Sequence, residues 1–422
     1  MPSFSIPLSG LNASSTALSA ISNDIANLNT VGYKGTTPEF ADLFYQQIGT
    51  AGSGDPVQLG AGARVATVAS VFTQGSIEST GVNTDMAIQG DGFFVTRDAS
   101  GLLTYTRAGN FSVDSNGILT AADGSKVLGY PAVNGVIDTN QPLAPVAVAG
   151  GQVSPASATT QTQLNMNLDA SAAVGSSFST PVTVYDSLGT AHVLTYNFTK
   201  TGTNAWNYNI TIPGADVGQA TDQSISSGTL GFDGTGALNA VTVTAGGTAA
   251  APASGVTGIP VTGLADGSNT LTFDWNFTNN GNPLVTQVAG PSATSATHQD
   301  GFSSGSLLNF SLTKDGTIQG IFSNGRTAAI GQLALATFPN TQGLLRNGSN
   351  DFLSTLASGS PSTGVAGTGG RGTISGGALE LSNVDVASEF SKLIVAQRGF
   401  QANAKTITTF DEVTQDAINL KR

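Results

Sequence analysis

Large apolar residues recur every seven positions at only two places in this chain, one near each end. Near the start, Leu11, Leu18 and Ile25 share one position of the repeat; Ser14, Ile21 and Leu28 share the position three later. That spacing lays a narrow apolar seam along one face of a helix, as in a coiled coil. The other faces carry Asn12, Ser15, Thr16, Ser19, Ser22 and Asn23, with Asp24 the one charge. Gly32 suits a left-handed cap, and Lys34 lies where the helix dipole favours a cation. Asn27, Asn29 and Thr30 can bond the last carbonyls. Near the end, Val386, Leu393, Phe400 and Ile407 recur every seven residues, and Phe390, Ala396, Ala404, Phe410 and Ala417 widen the stripe. Ser382 or Asn383 is the expected N-cap, with Asp385 in the first turn. The run predicts a helix of about 35 residues, about 50 Å long.

Between these arms the pattern changes to short alternating runs broken by Gly, Asn and Asp, which read as strands and hairpins. Asn116-Gly117 and Asp123-Gly124 are turn pairs of that kind. "FSVDSNGIL" (111–119) and "FSLTKDGTI" (310–318) share one pattern, which predicts a single β-domain that the chain enters, leaves and re-enters. Residues 151–295 differ: up to residue 290 they hold seven aspartates against one base, Lys200, and they contain both tryptophans, Trp206 and Trp275. Runs such as "HVLTYNFT" and "LTFDWNF" predict a separate β-barrel or sandwich there.

The expected fold class is therefore mainly β with long α-helical termini: nested β-domains of barrel or sandwich type plus a coiled-coil-like pair of terminal helices. Residues 1–34 and 380–422 form the helical arms in this reading. Residues 35–70 and 356–379 are Gly-rich connectors, 71–150 and 296–355 a discontinuous inner β-domain, and 151–295 an inserted outer domain. Nesting of this kind brings both termini out at one end.

Composition narrows the function. The formal charge is −12 and no basic stripe exists to replace phosphate counterions, which argues against nucleic acid and against an anionic membrane surface. No stretch reaches the ~18 apolar residues of a membrane span. No secretory signal is expected, because no Lys or Arg precedes Lys34 and Pro2 and Pro7 interrupt the start. The chain has no cysteine, so disulfides and thiolate sites are excluded, and its two histidines, His192 and His298, leave little room for a histidine-rich metal site.

Catalytic motifs fail on context. "GFSSG" (301–305) matches a nucleophile elbow at Ser303, but both histidines precede it and no βαβ pattern surrounds it. "GTGGRG" (367–372) matches a dinucleotide fingerprint without the strand-loop-helix setting that fingerprint needs. "DSNG" (114–117) lacks the distal Glu of a calcium loop and reads as a turn. His298 and Asp300 are expected in a surface loop and His192 within a strand. No carboxylate pair stands out, no cofactor is implied, and the chain does not read as an enzyme.

Long helices with one apolar stripe and few charges need partners, since isolated helices are marginal in water. Every copy of the chain carries the same seams, so the expected partner is another copy, with the arms disordered in the monomer and ordered on assembly. The alternative is a two-helix stalk within one chain. The expected interface is Leu11, Leu18, Ile21, Ile25, Leu28, Val386, Phe390, Leu393, Phe400, Ile407 and Phe410.

The segment "SGLNASSTALSAISNDIANLNTVGYKGTTPEF" (9–40) resembles the N-terminal signature of the bacterial flagellar rod and hook axial proteins. Its core is Ala26, Asn27, Leu28, Asn29, Thr30, Val31, Gly32, Tyr33 and Lys34. The segment "GALELSNVDVASEFSKLIVAQRGFQANAKTITTFDEV" (377–413) is similar to that family's C-terminal helix, most strongly at Ser382, Asn383, Val384 and Asp385 and at Gln397, Arg398 and Asn403. "DMAIQGDGFFVT" (85–96) and "YTRAGNFSVDSNGIL" (105–119) resemble its first β-domain. Gly399-Phe400 departs from the Asn-Tyr type pair common in relatives, while Phe keeps the apolar knob. Chain length and the large insert fit the hook branch of the family.

The resemblance implies a structural subunit that polymerises with itself into a curved, flexible tube joining rod to filament and transmitting torque. Its implied partners are further copies, distal rod, hook cap and hook-filament junction proteins, and the flagellar type III export apparatus. It implies export without a cleaved signal peptide and assembly outside the cell. A straight distal rod subunit of the same family is the runner-up, and a secreted β-rich adhesin a weaker alternative.

Overall fold

The computed structural model describes residues 5–52, 55–133, 135–148, 152–250 and 254–420. The outermost ends of the expected arms, residues 53–54 of the expected connector and the 150/151 domain boundary lie outside these residues. The chain is mainly β with a long helix toward each end, and it divides into two compact units.

Unit 1 comprises residues 1–150, 309–321 and 327–422. Helix α1 spans Ser5–Ala26 and helix α2 spans Val386–Asn419, 34 residues against the roughly 35 expected. Its cap lies two residues beyond the later of the expected caps, Asn383: the Asp385 carboxylate accepts from the Ser388 N–H at 2.7 Å. Asp385 therefore caps the helix from outside the first turn. The main sheet of the unit runs in the order Thr317–Phe322, Thr327–Thr337, Lys126–Val133, Phe93–Arg97, Leu103–Thr106, Asp351–Leu353 and Leu345–Gly348. Both faces of that sheet are covered, and so Phe93 and Phe94, adjacent in sequence, enter different cores. Phe111 and Leu119 of the first nonapeptide and Phe310 and Ile318 of the second share one core.

Residues 36–70, expected as a connector, form an antiparallel ribbon instead. Thr36–Asp42 pairs with Ala63–Ser70, and Tyr45–Thr50 pairs with Pro56–Gly60. Strand-favouring residues such as Thr36, Tyr45, Ile48, Val57, Val65 and Val68 outweigh the glycines there. Residues 356–379 are also paired in part: Ser362–Val365 lies beside Thr327–Thr337, Thr373–Gly376 beside Met86–Gln89, and Ala378–Glu380 beside Ile77–Ser79. "GTGGRG" is the turn before the second of these strands.

Unit 2 comprises residues 151–308 and 322–326. A five-stranded antiparallel meander, from Ser177–Tyr185 to Leu238–Ala245, faces a second sheet built on Gly255–Val261, Leu271–Asn276 and Gln161–Asn167. The aromatic residues between them form the core of a sandwich. Trp275 is fully buried, with Phe277, Tyr196 and Tyr208 packed edge-on at 4.5, 5.0 and 5.4 Å. Both tryptophans are thus core residues. His192 lies in a strand as expected; His298 does too, in Ala293–Gln299, rather than in a loop.

Candidate assembly interface

The helices pack antiparallel within the one chain. A Cβ at Gly10 would lie 2.8 Å from the Asn403 amide, and one at Gly399 would lie 3.3 Å from Ser14 Oγ. Small residues one turn apart on each helix therefore set the approach. An open groove of about 680 Å³ runs beside this contact, lined by Ala13, Ala17, Ile21, Phe40, Val395 and Ala396 among others. The expectation of arms that pair only between copies is corrected here in part, since the intramolecular pair exists. The reason is geometric: Gly10, Ser14, Gly399 and Asn403 let two backbones approach where a row of large knobs would hold them apart.

Much of the expected seam is left over. Ile21 is buried, whereas Leu11, Leu18, Ile25, Leu28, Leu393, Phe400, Ile407 and Phe410 are half-buried. Val386 and Phe390 are exposed, Phe390 at 49 %, and Ile394, Val395, Val413 and Ile418 extend the exposed apolar surface of α2. The ribbon adds Phe40, Phe44, Tyr45, Ile48, Val57 and Leu59, with Phe44 at 92 % exposure. Patches of this extent on one chain mark interaction surface.

The N-terminal signature turns out to be an anchor rather than a helix cap. Helix α1 ends at Ala26, so Leu28 and Gly32 lie beyond it. Gly32 has φ +68° and donates its N–H to the Glu380 carbonyl at 2.8 Å, while its Cα lies against the backbone of Arg107 and Ala108. Tyr33 OH donates to Asp24 at 2.7 Å and accepts from the Asn23 amide at 2.8 Å. Burial and the Asp24 carboxylate push the Tyr33 phenol far above its usual range. Asp24 also accepts from the Thr36 N–H at 2.8 Å, which holds the helix end against the start of the ribbon.

Lys34 is the centre of the anchor. Its ammonium donates to Glu380 at 2.6 Å and to the Thr73 carbonyl at 2.8 Å. Arg107 approaches the other Glu380 oxygen at 3.2 Å and donates to the Gly90 carbonyl at 2.8 Å. Burial lowers the Lys34 and Arg107 pKa values, and Glu380 opposes both shifts. Lys34 therefore serves an ion pair, and the helix-dipole role expected for it is corrected.

The C-terminal signature completes this joint. Asn383 accepts from the Gly35 N–H at 2.9 Å and donates to the Val71 carbonyl at 2.8 Å. Ser382 Oγ accepts from the Val384 N–H at 3.3 Å. Asn27 donates to the Asn23 carbonyl at 2.8 Å, and Thr30 donates to Asn27 at 3.1 Å. Asn29, Gln397 and Arg398 are exposed. The sequence reading missed Arg107, Glu380, Asn350 and Arg346; Asn350 donates to the Val31 carbonyl at 2.8 Å and Arg346 to that of Lys34. A buried charge cannot be told from a surface one by local pattern, so only the position of Glu380 directly before the C-terminal signature hinted at it.

Two helices set on a buried polar joint, with their apolar faces partly uncovered, define a protein built to polymerise. Residues 87–228 match the domain family described as "Flagellar hook protein FlgE/F/G D1 domain", and residues 176–302 match "Flagellar basal body protein FlaE D2 domain". Residues 6–34 match "Flagella basal body rod protein", and 375–420 match "Flagellar basal body rod FlgEFG protein C-terminal". The chain is 36 % identical to the flagellar hook protein FlgE of Salmonella typhimurium over 99 % of its own length and 100 % of that protein. Its identity to the flagellar hook protein FlgE of Borreliella burgdorferi is 34 %, over 98 % of each. In fold it is similar to the crystal structure of Helicobacter pylori flagellar hook protein FlgE2, with TM-score 0.50 and 15 % identity, over 70 % of this chain and 98 % of that one. The chain belongs to the flagellar hook protein family. Its role is structural, as a subunit of the hook.

Proposed function

We propose that copies of this chain polymerise through α1, α2 and the ribbon, and that the half-exposed seam residues Leu11, Leu18, Ile25, Leu393, Phe400, Ile407 and Phe410, with Val386 and Phe390, are buried at the contacts between copies. The observation that carries this reading is the apolar surface of α2 and the ribbon, left uncovered although α1 is already in place. At ~25 cal/mol per Å² of apolar area, such surface strongly favours association. In this reading the arms line the tube, 71–150 with 296–355 form its inner β-layer, and 151–295 its outer surface. Curvature follows if β-layer contacts slide while helix contacts persist, giving a joint stiff in twist and soft in bending.

The finer partners belong to this proposal: distal rod, hook cap and hook-filament junction proteins at the ends of the tube, and the type III export apparatus on the way out of the cell. Export without a cleaved signal, assembly outside the cell and the lack of any catalytic role belong to it too. Among the described residues, no helix is long and apolar enough to cross a membrane.

Electron microscopy of purified full-length chain, concentrated in high salt, tests the reading. Wild type is expected to form curved tubes, and Phe390→Asp or Leu18→Asp to stay monomeric with an unchanged Trp fluorescence spectrum. Tubes from both variants would refute the interface; straight tubes from wild type would refute the bending joint.

A further inference from the structure

Four segments at one end of the unit 2 sandwich bring together side chains that are far apart in sequence. Asp186 follows the strand Ser177–Tyr185, and His192 is the second residue of Ala191–Gly202. Asp216 lies in the short helical turn Gly214–Val217, and Asp266 in the loop before Leu271–Asn276. His192 is buried; its Nε2 is 3.3 Å from Asp186 Oδ2 and its Nδ1 is 3.0 Å from Asp216 Oδ2. Asp186 Oδ1 is committed elsewhere, accepting from the Leu188 and Thr190 N–H groups at 2.8 and 2.9 Å. Its Oδ2 is thereby aimed at the imidazole and at Asp266. One donor atom from each of Asp186, His192 and Asp266 lies within 4.8 Å of the others.

Charge makes this cluster unusual. Three carboxylates surround one imidazole, and among the described residues neither a lysine nor an arginine forms an ion pair with any of them. The cations of the unit are used elsewhere: Lys200 donates to the Ala170 carbonyl at 2.6 Å, and Arg326 lies over the Phe302 ring at 4.1 Å. His192 contacts two of the three carboxylates, and Asp266 lies beside Asp186.

We propose that Asp186 Oδ2, His192 Nε2 and an Asp266 carboxylate oxygen bind a divalent transition-metal ion of the Zn²⁺ class, with Asp216 orienting the imidazole through Nδ1. Ligands about 2.0–2.1 Å from a tetrahedral zinc lie about 3.3–3.4 Å from each other. The His192–Asp186 pair already meets that spacing, and the Asp266 oxygen lies within 4.8 Å of both. A carboxylate on the far nitrogen is the usual outer support of a metal-bound histidine. One imidazole with two carboxylates suits zinc or manganese better than calcium, which takes six to eight oxygens. The ion would brace the 186–190, 214–218 and 264–268 segments, where the Ala265 N–H already donates to the Asp216 carbonyl at 2.8 Å.

The test uses the full chain, stripped with chelator, equilibrated with excess ZnCl₂ and desalted. Mass spectrometry of the retained metal is expected to give one zinc per chain, and the melting of the unit 2 tryptophans is expected to rise. Asp266→Asn should retain the metal-free melting temperature and lose at least about tenfold in zinc affinity, and Asp216→Asn should lose about tenfold. No retained zinc in the wild type would overturn the site. Zinc bound equally by Asp266→Asn, or calcium bound as tightly as zinc, would overturn it as well.

Discussion

Lys34 Nζ lies 2.6 Å from Glu380 Oε1, across 346 residues of sequence, and both side chains are fully buried. This one pair joins the end of the N-terminal arm to the start of the C-terminal arm. Backbone pairing surrounds it: Ile77–Ser79 runs beside Ala378–Glu380, and the Gly75 N–H donates to the same Glu380 oxygen at 2.9 Å.

Removing the shared carboxylate leaves two buried cations without a counter-charge. Glu380→Gln is expected to destabilise unit 1 by about 3–5 kcal/mol, read from urea denaturation of the monomer. Lys34→Met combined with Glu380→Leu should recover part of that loss, because apolar replacements carry no desolvation cost. A double variant as unstable as the single one would contradict this account.

Gly32→Ala tests the fit of the signature loop. The added Cβ would lie 2.5 Å from the Ala108 backbone nitrogen, at a φ of +68° that L-residues rarely adopt. The loop must then lift from the β-domain. Loss of amide-exchange protection at Gly32 and Tyr33, with the unit 2 sandwich unaffected, is the expected result.

Gly10→Leu tests the helix pair. Its side chain would occupy the space of Asn403 and push α1 off α2. Since α1 is rich in Ser and Asn and draws its stability from packing, helical content by circular dichroism should fall by roughly the length of α1. Unchanged helicity would mean that the ribbon alone holds α1.

Asp351 provides a pH signature for unit 1. Burial, aided by the nearby Asp123 charge, raises its carboxyl to about 7. The folded state thus keeps a proton that the unfolded chain releases near pH 4. Stability from this group is present at low pH and is lost as pH rises from about 4 to about 7. Asp351→Asn should flatten that slope and raise the melting temperature at pH 8; an unaltered slope would remove Asp351 from the explanation.

The arms were legible because heptad spacing is a local property, and the length of α2 follows from the apolar stripe that runs from Val386 to Ala417. The unit 2 strands were legible for the same reason, through alternation such as that of Ala191–Gly202. The ribbon was not, because glycines at 49, 52, 54, 60 and 62 suggest a flexible segment while the pairing that orders it comes from opposite strands. Nor was the anchor, since Lys34, Arg107 and Glu380 are ordinary charges until folding buries them together.

Sequence by itself determined the two terminal helices, the alternating strands of the interior and the family signatures at the two ends, all of which rest on short-range periodicity and turn chemistry. Only the tertiary structure decided that the two arms pair through small residues, that the signature is a buried polar joint and that three aspartates converge on His192. Those outcomes depend on contacts between distant segments. Their energies come from burial and charge, which a residue acquires only once its neighbours are in place.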